Sequence, residues 1–180
     1  MYGFLPGITF HSHSASARRR QLAKCASIFK SRAAGRLLDL LQFPPMPLSL
    51  EESSRAIAAA QGHAQKIGIR VSVAVVDEGG FLVALLRMDG GPPLSPQIAE
   101  AKASGTALTL REGEQMGEMF RERPGFFAVV SRLTRVPPVP GPGSRLVRKE
   151  GRILGAIGVS GGKPEQDVEC AEAGLRAIGL

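Results

Sequence analysis

Tryptophan is absent from this 180-residue chain and tyrosine occurs once, so surfaces for stacking bases are scarce. Its two cysteines, Cys25 and Cys170, lie far apart and make neither a disulfide framework nor a metal-ligand spacing. Of its three histidines, His11 and His13 fall in an irregular N-terminal stretch and His63 stands alone further in, which argues against a multi-imidazole zinc site. No apolar run reaches the roughly 18 residues that a membrane-spanning helix needs.

Charge is present but unevenly placed. The net charge is +7. Residues 1–45 carry seven basic side chains against one acid, Asp39, while residues 46–180 carry 16 basic and 15 acidic ones. The basic character belongs to the leader, and the balanced remainder has no electrostatic footprint for a nucleic acid. Residues 1–45, rich in Ser, Ala and Arg, read in three ways: an upstream extension of the reading frame, an organelle-targeting segment, or a functional basic arm. A secretory signal does not fit, because no apolar core follows the charges. The expectation is a cytoplasmic protein, or an organellar one if the leader is genuine.

From Met46 the signals become regular, and residues 46–180 read as one domain. Ser49 and Glu52 in "SLEE" have capping-box spacing and open a helix running to about Ile67, where Gly68 stops it. "IRVSVAVVD" and "FLVALLRMD" flank the turn Asp77–Gly80 and predict an antiparallel hairpin. Both strands are apolar on both faces, so the sheet is expected to be covered on both sides. Ser95 is placed as the cap of a second helix, with the stripe Ile98, Ala99, Lys102, Ala103 and Thr106. "REGEQMGEMFRER" predicts a charged helix and "GFFAVVSRL" a strand. "VPPVPGPGS" breaks regular structure, "RLVRKEGRILGAIGVSG" predicts a second hairpin, and Pro164 opens a final helix. Hairpins rather than crossovers set the pairing, so the fold class is α+β with an antiparallel sheet and packed helices.

Gly155, Gly158, Gly161 and Gly162 form neither a Walker loop nor a GxGxxG fingerprint. Either they permit close packing of strand, turn and helix, or Gly161 and Gly162 aim free N–H groups at a carboxylate or phosphate. Ser160 between Gly158 and Gly162 has the spacing of a nucleophile elbow, but a small hairpin-paired sheet is the wrong setting for one.

Three separated stretches, "VSVAVVDEGGFLVALLRMDG", "AEAKASGTA" and "GAIGVSGGKPEQDVECAEAGL", resemble the GlcG/HbpS-like family, the haem-degrading DUF336 domain that also ends PduO-type proteins of corrinoid metabolism. The resemblance covers residues 47–180. It implies a profilin-like fold, with a five-stranded antiparallel sheet flanked by helices, and a homo-oligomer. It implies haem or a related tetrapyrrole as ligand, in haem degradation or iron handling, or else a role as enzyme or accessory acting on a small organic acid or corrinoid. The chain departs from the family pattern at Gln97 and over "VVSRLTRVPPVPGPGS".

The candidate ligand-binding residues are Lys102, His63, Arg87, Gly161 and Gly162. Lys102, on a stripe of small residues, either offers its ammonium to an acid or snorkels along the core edge. His63 is the sole imidazole of the domain and the candidate metal ligand for haem iron, against the plainer reading of a packed histidine. Arg87 either binds an anion or forms a salt bridge, with Asp89 or across an oligomer contact, and Asp77 closes its turn. Met88, Met116, Met119 and Cys170 read as packing residues.

Overall fold

The computed structural model describes residues 48–180. The expectations for residues 1–45, including His11, His13 and Cys25, lie outside them.

Helix α1 (Leu50–Lys66) begins where the sequence places it. Ser49 Oγ accepts from the Glu52 N–H at 3.1 Å, and Glu52 Oε2 accepts from the Ser49 N–H at 3.1 Å. Gly68, at φ +75°, ends the run in the left-handed region that favours glycine. Strands β1 (Ser72–Asp77) and β2 (Leu82–Arg87) form the predicted hairpin, and β3 (Ser144–Lys149) and β4 (Arg152–Ser160) form the second. Between them lie α2 (Ser95–Thr109), α3 (Gly113–Glu122) and α4 (Pro124–Leu133), and α5 (Pro164–Ala177) follows β4. The sheet is antiparallel throughout, in the order β2-β1-β4-β3.

Two expectations change. Among the described residues the sheet has four strands rather than five, because the segment "GFFAVVSRL" is helical, as α4. Its Phe and Val pairs carry strand propensity, but Pro124 sits in the first turn with φ pre-set for a helix. Phe127 is buried edge-to-face against Phe120, with centroids 5.3 Å apart, and Ser131 Oγ bonds back to the Phe127 carbonyl. Tertiary packing of one aromatic overrides the local preference. The second change is one residue wide. Leu94, not Ser95, is the N-cap of α2, and Ser95 Oγ instead meets Ser72 Oγ and the Pro92 carbonyl, each at 2.7 Å.

The core has two layers. On one face α1 and α5 cover Val73, Val75, Ile157 and Val159 with Ile57, Ala60, Ala64 and Ala171. Cys170 lies in this layer, fully buried, and burial pushes its thiol up to about 11. On the other face α2 covers Ala74, Val76 and Ala156 with Ala99, Ala103 and Ala107. Small residues let α2 approach closely: a Cβ on Gly158 would strike the Ala99 carbonyl and come within 2.7 Å of the Ala103 nitrogen. The central strands β1 and β4 are buried on both faces, as expected, but edge strand β2 leaves Leu82 and Leu86 43% and 54% exposed.

The opposite edge, β3, is guarded. The Leu146 N–H donates to Glu112 Oε1 at 3.3 Å, so a side chain takes the place of a neighbouring strand. Arg145 beside it donates to Glu114 at 2.8 Å and to Glu172 at 3.3 Å. Burial raises the Glu112 carboxyl above its ordinary value, against the Leu146 N–H and the Arg145 charge.

Gly158→Ala tests the close approach of α2 to β4. It should lower stability by about 1–3 kcal/mol through overpacking, measured as a lower denaturation midpoint with unchanged slope.

Candidate functional site

The turn between β1 and β2 is pre-shaped by Asp77. Its Oδ1 accepts from the Gly79 N–H at 2.9 Å and the Phe81 N–H at 2.8 Å, the turn-closing role read from the sequence. Gly80 sits at φ +74°, and a Cβ there would lie 2.9 Å from Leu108 Cγ. The turn therefore rests directly on the C-terminal half of α2. It leaves Phe81 60% exposed beside Leu108.

Beyond Phe81 lies a cleft of about 340 Å³. Its walls come from the turn, from Ser104 and Leu108 of α2, and from Val130 and Leu133 at the end of α4. Arg135 closes one side: its guanidinium carbon is 5.8 Å from the Phe81 ring centroid, and Nη2 donates to Glu100 at 3.2 Å. The cleft thus offers an apolar floor with one cation at its rim, which is the usual composition of a small-molecule site.

Lys102 points elsewhere. Its ammonium donates to the Val159 carbonyl and to Asp167 Oδ2, both at 2.9 Å, and the two side chains are 10% and 4% exposed. Asp167 Oδ1 accepts from the Gly162 N–H at 2.9 Å. The acid that Lys102 and Gly162 were expected to meet in a ligand is, in the structure, Asp167 of the same chain. Gly161, at φ +140°, has no room for a side chain, since a Cβ would strike the Arg70 carbonyl. Burial raises the Asp167 carboxyl above its ordinary 3.8, while the Lys102 charge, its hydrogen bond and the Gly162 N–H oppose that rise.

The other candidates are not gathered into one site. His63 Nε2 lies 3.2 Å from Glu169 Oε2, bridging α1 and α5. That places it on the sheet face away from α2 and the cleft. Arg87 is exposed at the end of β2, and among the described residues no ion pair reaches it, from Asp89 or elsewhere. Met116 is fully buried against Gly105, a packing role. Ser160 is buried at the end of β4. Among the described residues no group of three or more His, Cys, Asp or Glu is arranged to hold a metal ion, and no helix is long and apolar enough to cross a membrane.

Sequence reasoning missed Asp167 as the partner of Lys102, and Leu108, Leu133 and Arg135 as cleft residues. The first had a signal, since a lysine among alanines on a buried stripe demands a carboxylate. Leu133 and Arg135 had none, because their proximity depends on α4 being a helix, and Leu108 is placed by the contact of the turn with α2.

These features define a small α+β domain: an antiparallel sheet with helices on both faces and an apolar cleft beside one hairpin turn. The chain belongs to the HbpS-like family of haem-degrading proteins, whose family model matches residues 48–176. It is 40% identical to the protein GlcG of Escherichia coli K12 over 113 residues, 63% of this chain and 81% of GlcG. It is 29% identical to the corrinoid adenosyltransferase PduO of Citrobacter freundii over 138 residues, 76% of this chain but 41% of PduO. The crystal structure of the PduOC–haem complex superposes with a TM-score of 0.66 at 26% identity, covering 73% of this chain and 95% of that one.

Lys102→Ala should not leave a folded protein lacking only a ligand contact. It strands a buried carboxylate and should cost about 3–5 kcal/mol, read from chemical denaturation. The pH dependence follows from the raised Asp167 carboxyl. Between its ordinary 3.8 and the raised folded value, the folded state holds the proton more tightly than the unfolded state. This group therefore makes stability fall as pH rises through that window, and Asp167→Asn should remove that slope from a series of melts.

Proposed function

We propose that this protein binds haem or a related tetrapyrrole. The apolar body of the macrocycle rests in the cleft between the first hairpin turn, α2 and the end of α4, and an acidic side group faces Arg135. The observation that carries the reading is the cleft itself, where Phe81, Leu108 and Leu133 are 60%, 45% and 80% exposed around one guanidinium. At about 340 Å³ it is near the lower end for ligand sites, so it takes an edge of such a ligand rather than its whole volume. The haem complex of PduOC and the description of the HbpS-like family support haem as the ligand class.

The fit is to the macrocycle and its acid. Among the described residues no histidine, cysteine, methionine or tyrosine lines the cleft, and no axial ligand is assigned there. A second reading, an enzyme or accessory acting on a corrinoid or small organic acid, is favoured by the similarity to PduO. It would use the same apolar floor and cation.

Titration of the full chain with hemin should give a Soret band that saturates. Leu108→Glu and Arg135→Ala should each weaken binding by about tenfold, one through the apolar floor and one through the acid contact. Absence of the band in the unaltered protein, or affinity unchanged in both variants, overturns the proposal. A corrinoid that binds where hemin does not supports the second reading.

A further inference from the structure

We propose that the hydroxyl of Ser104 is a ligand contact, and that it makes the cleft select a tetrapyrrole edge with carboxyl or carboxamide arms over a purely hydrocarbon edge. The assignment rests on the cleft being the tetrapyrrole site and adds a polar group to its floor. Ser104 stands on α2 next to Ala103, which packs on the sheet, and one turn before Leu108 of the cleft wall. It lines the cleft, yet it is only 2% exposed. A Cβ on Gly80 would come within 3.1 Å of Ser104 Oγ, so a side chain at that turn position would crowd the hydroxyl.

The neighbouring hydrogen-bonding groups are already spent. The Gly79 and Phe81 N–H groups donate to Asp77 Oδ1, and the Gly80 N–H donates to the Asp77 carbonyl at 3.0 Å. Thr109 Oγ1 donates to the Gly105 carbonyl at 2.7 Å, and Thr134 Oγ1 to the Ser131 carbonyl at 3.3 Å. Further along α2, Ser95 and Thr106 are paired with Ser72 and Ser144. Among the described residues Ser104 Oγ has no hydrogen-bond partner, and it is not sealed in either, as Glu112 Oε2 is. A buried hydroxyl without a partner carries a desolvation cost. A hydrocarbon edge pressed onto it would lock that cost in, whereas a carboxyl or carboxamide oxygen would accept its proton. Haem carries its propionates side by side on one edge, so one can accept from Ser104 while the other meets Arg135 at the rim. A corrinoid, with carboxamide arms around its ring, meets the same donor. A site built to hydrogen-bond a ligand rejects an analogue that lacks the bonding group, because its own polar group is then stranded.

Affinities of the full chain for hemin and for octaethylhemin, whose periphery carries ethyl groups only, test this. The unaltered protein should prefer hemin. Ser104→Ala should cut that preference by about three- to tenfold, the worth of one neutral hydrogen bond, by weakening hemin and not octaethylhemin. A mere loss of packing would weaken both alike. In the ligand-free protein Ser104→Ala should raise the denaturation midpoint, because alanine is the better helix former and no internal bond is lost. A lowered midpoint, or saturable hemin binding with its preference unchanged in Ser104→Ala, overturns the role of Ser104 and leaves the haem reading standing. Binding of neither porphyrin overturns the haem reading. The Ser104 contact then survives only if cyanocobalamin binds the unaltered protein and Ser104→Ala weakens it, and falls otherwise.

Discussion

The buried ion pair between Lys102 and Asp167 is the constraint around which the domain is arranged. An ammonium that is 10% exposed needs an anion and further acceptors, because its hydration has been stripped away. Asp167 supplies the charge from α5, and the Val159 carbonyl supplies the second acceptor from β4. Asp167 then uses its other oxygen on the Gly162 N–H, fixing the chain where β4 turns into α5. Gly143, at the entrance to β3, is crowded against the same pair, since a Cβ there would lie 2.7 Å from Lys102 Nζ and 2.8 Å from Asp167 Cβ. Four segments from both faces of the sheet thus meet at one ammonium. Two buried hydroxyl pairs, Ser72 with Ser95 and Thr106 with Ser144, tie the same helix to β1 and β3 at 2.7 Å each. Helix α2 is held by polar bonds along a surface otherwise made of alanine, where apolar burial alone would allow it to slide.

Most of the fold is legible in the sequence because its boundaries are chemical. Ser49 with Glu52, Asp77 with two glycines, and Pro164 each act within a few residues, and each does so as read. The exception is "GFFAVVSRL". Strand propensity there competes with one proline and one aromatic contact, and only the folded molecule shows that Phe120 is close enough to decide it. The candidate site inherits that misreading, because Val130 and Leu133 line the cleft only when their segment is helical. Lys102 shows the opposite case. Its place on a stripe of small residues is legible, but its partner lies 65 residues away on another element.

The glycines near the end of β4 belong to packing rather than to phosphate binding. Gly158 admits the backbone of α2, Gly161 admits that of Arg70, and the Gly162 N–H is taken by Asp167. A run that resembles an anion cradle in one dimension is filled by the protein's own backbone and carboxylate in three. The apolar surface left uncovered lies instead at the other end of α2, between the hairpin turn and α4.

The carboxylate of Glu112 on the outer border of β3 has a wider consequence. A sheet that can be extended at both borders can propagate without limit, and fibrils grow by that route. Here one border is already terminated from within. Any strand-to-strand recruitment is confined to the remaining border, and such growth stops once that border is satisfied. The molecule can therefore keep an almost wholly apolar outer strand, β2, without supplying both borders of an endless template.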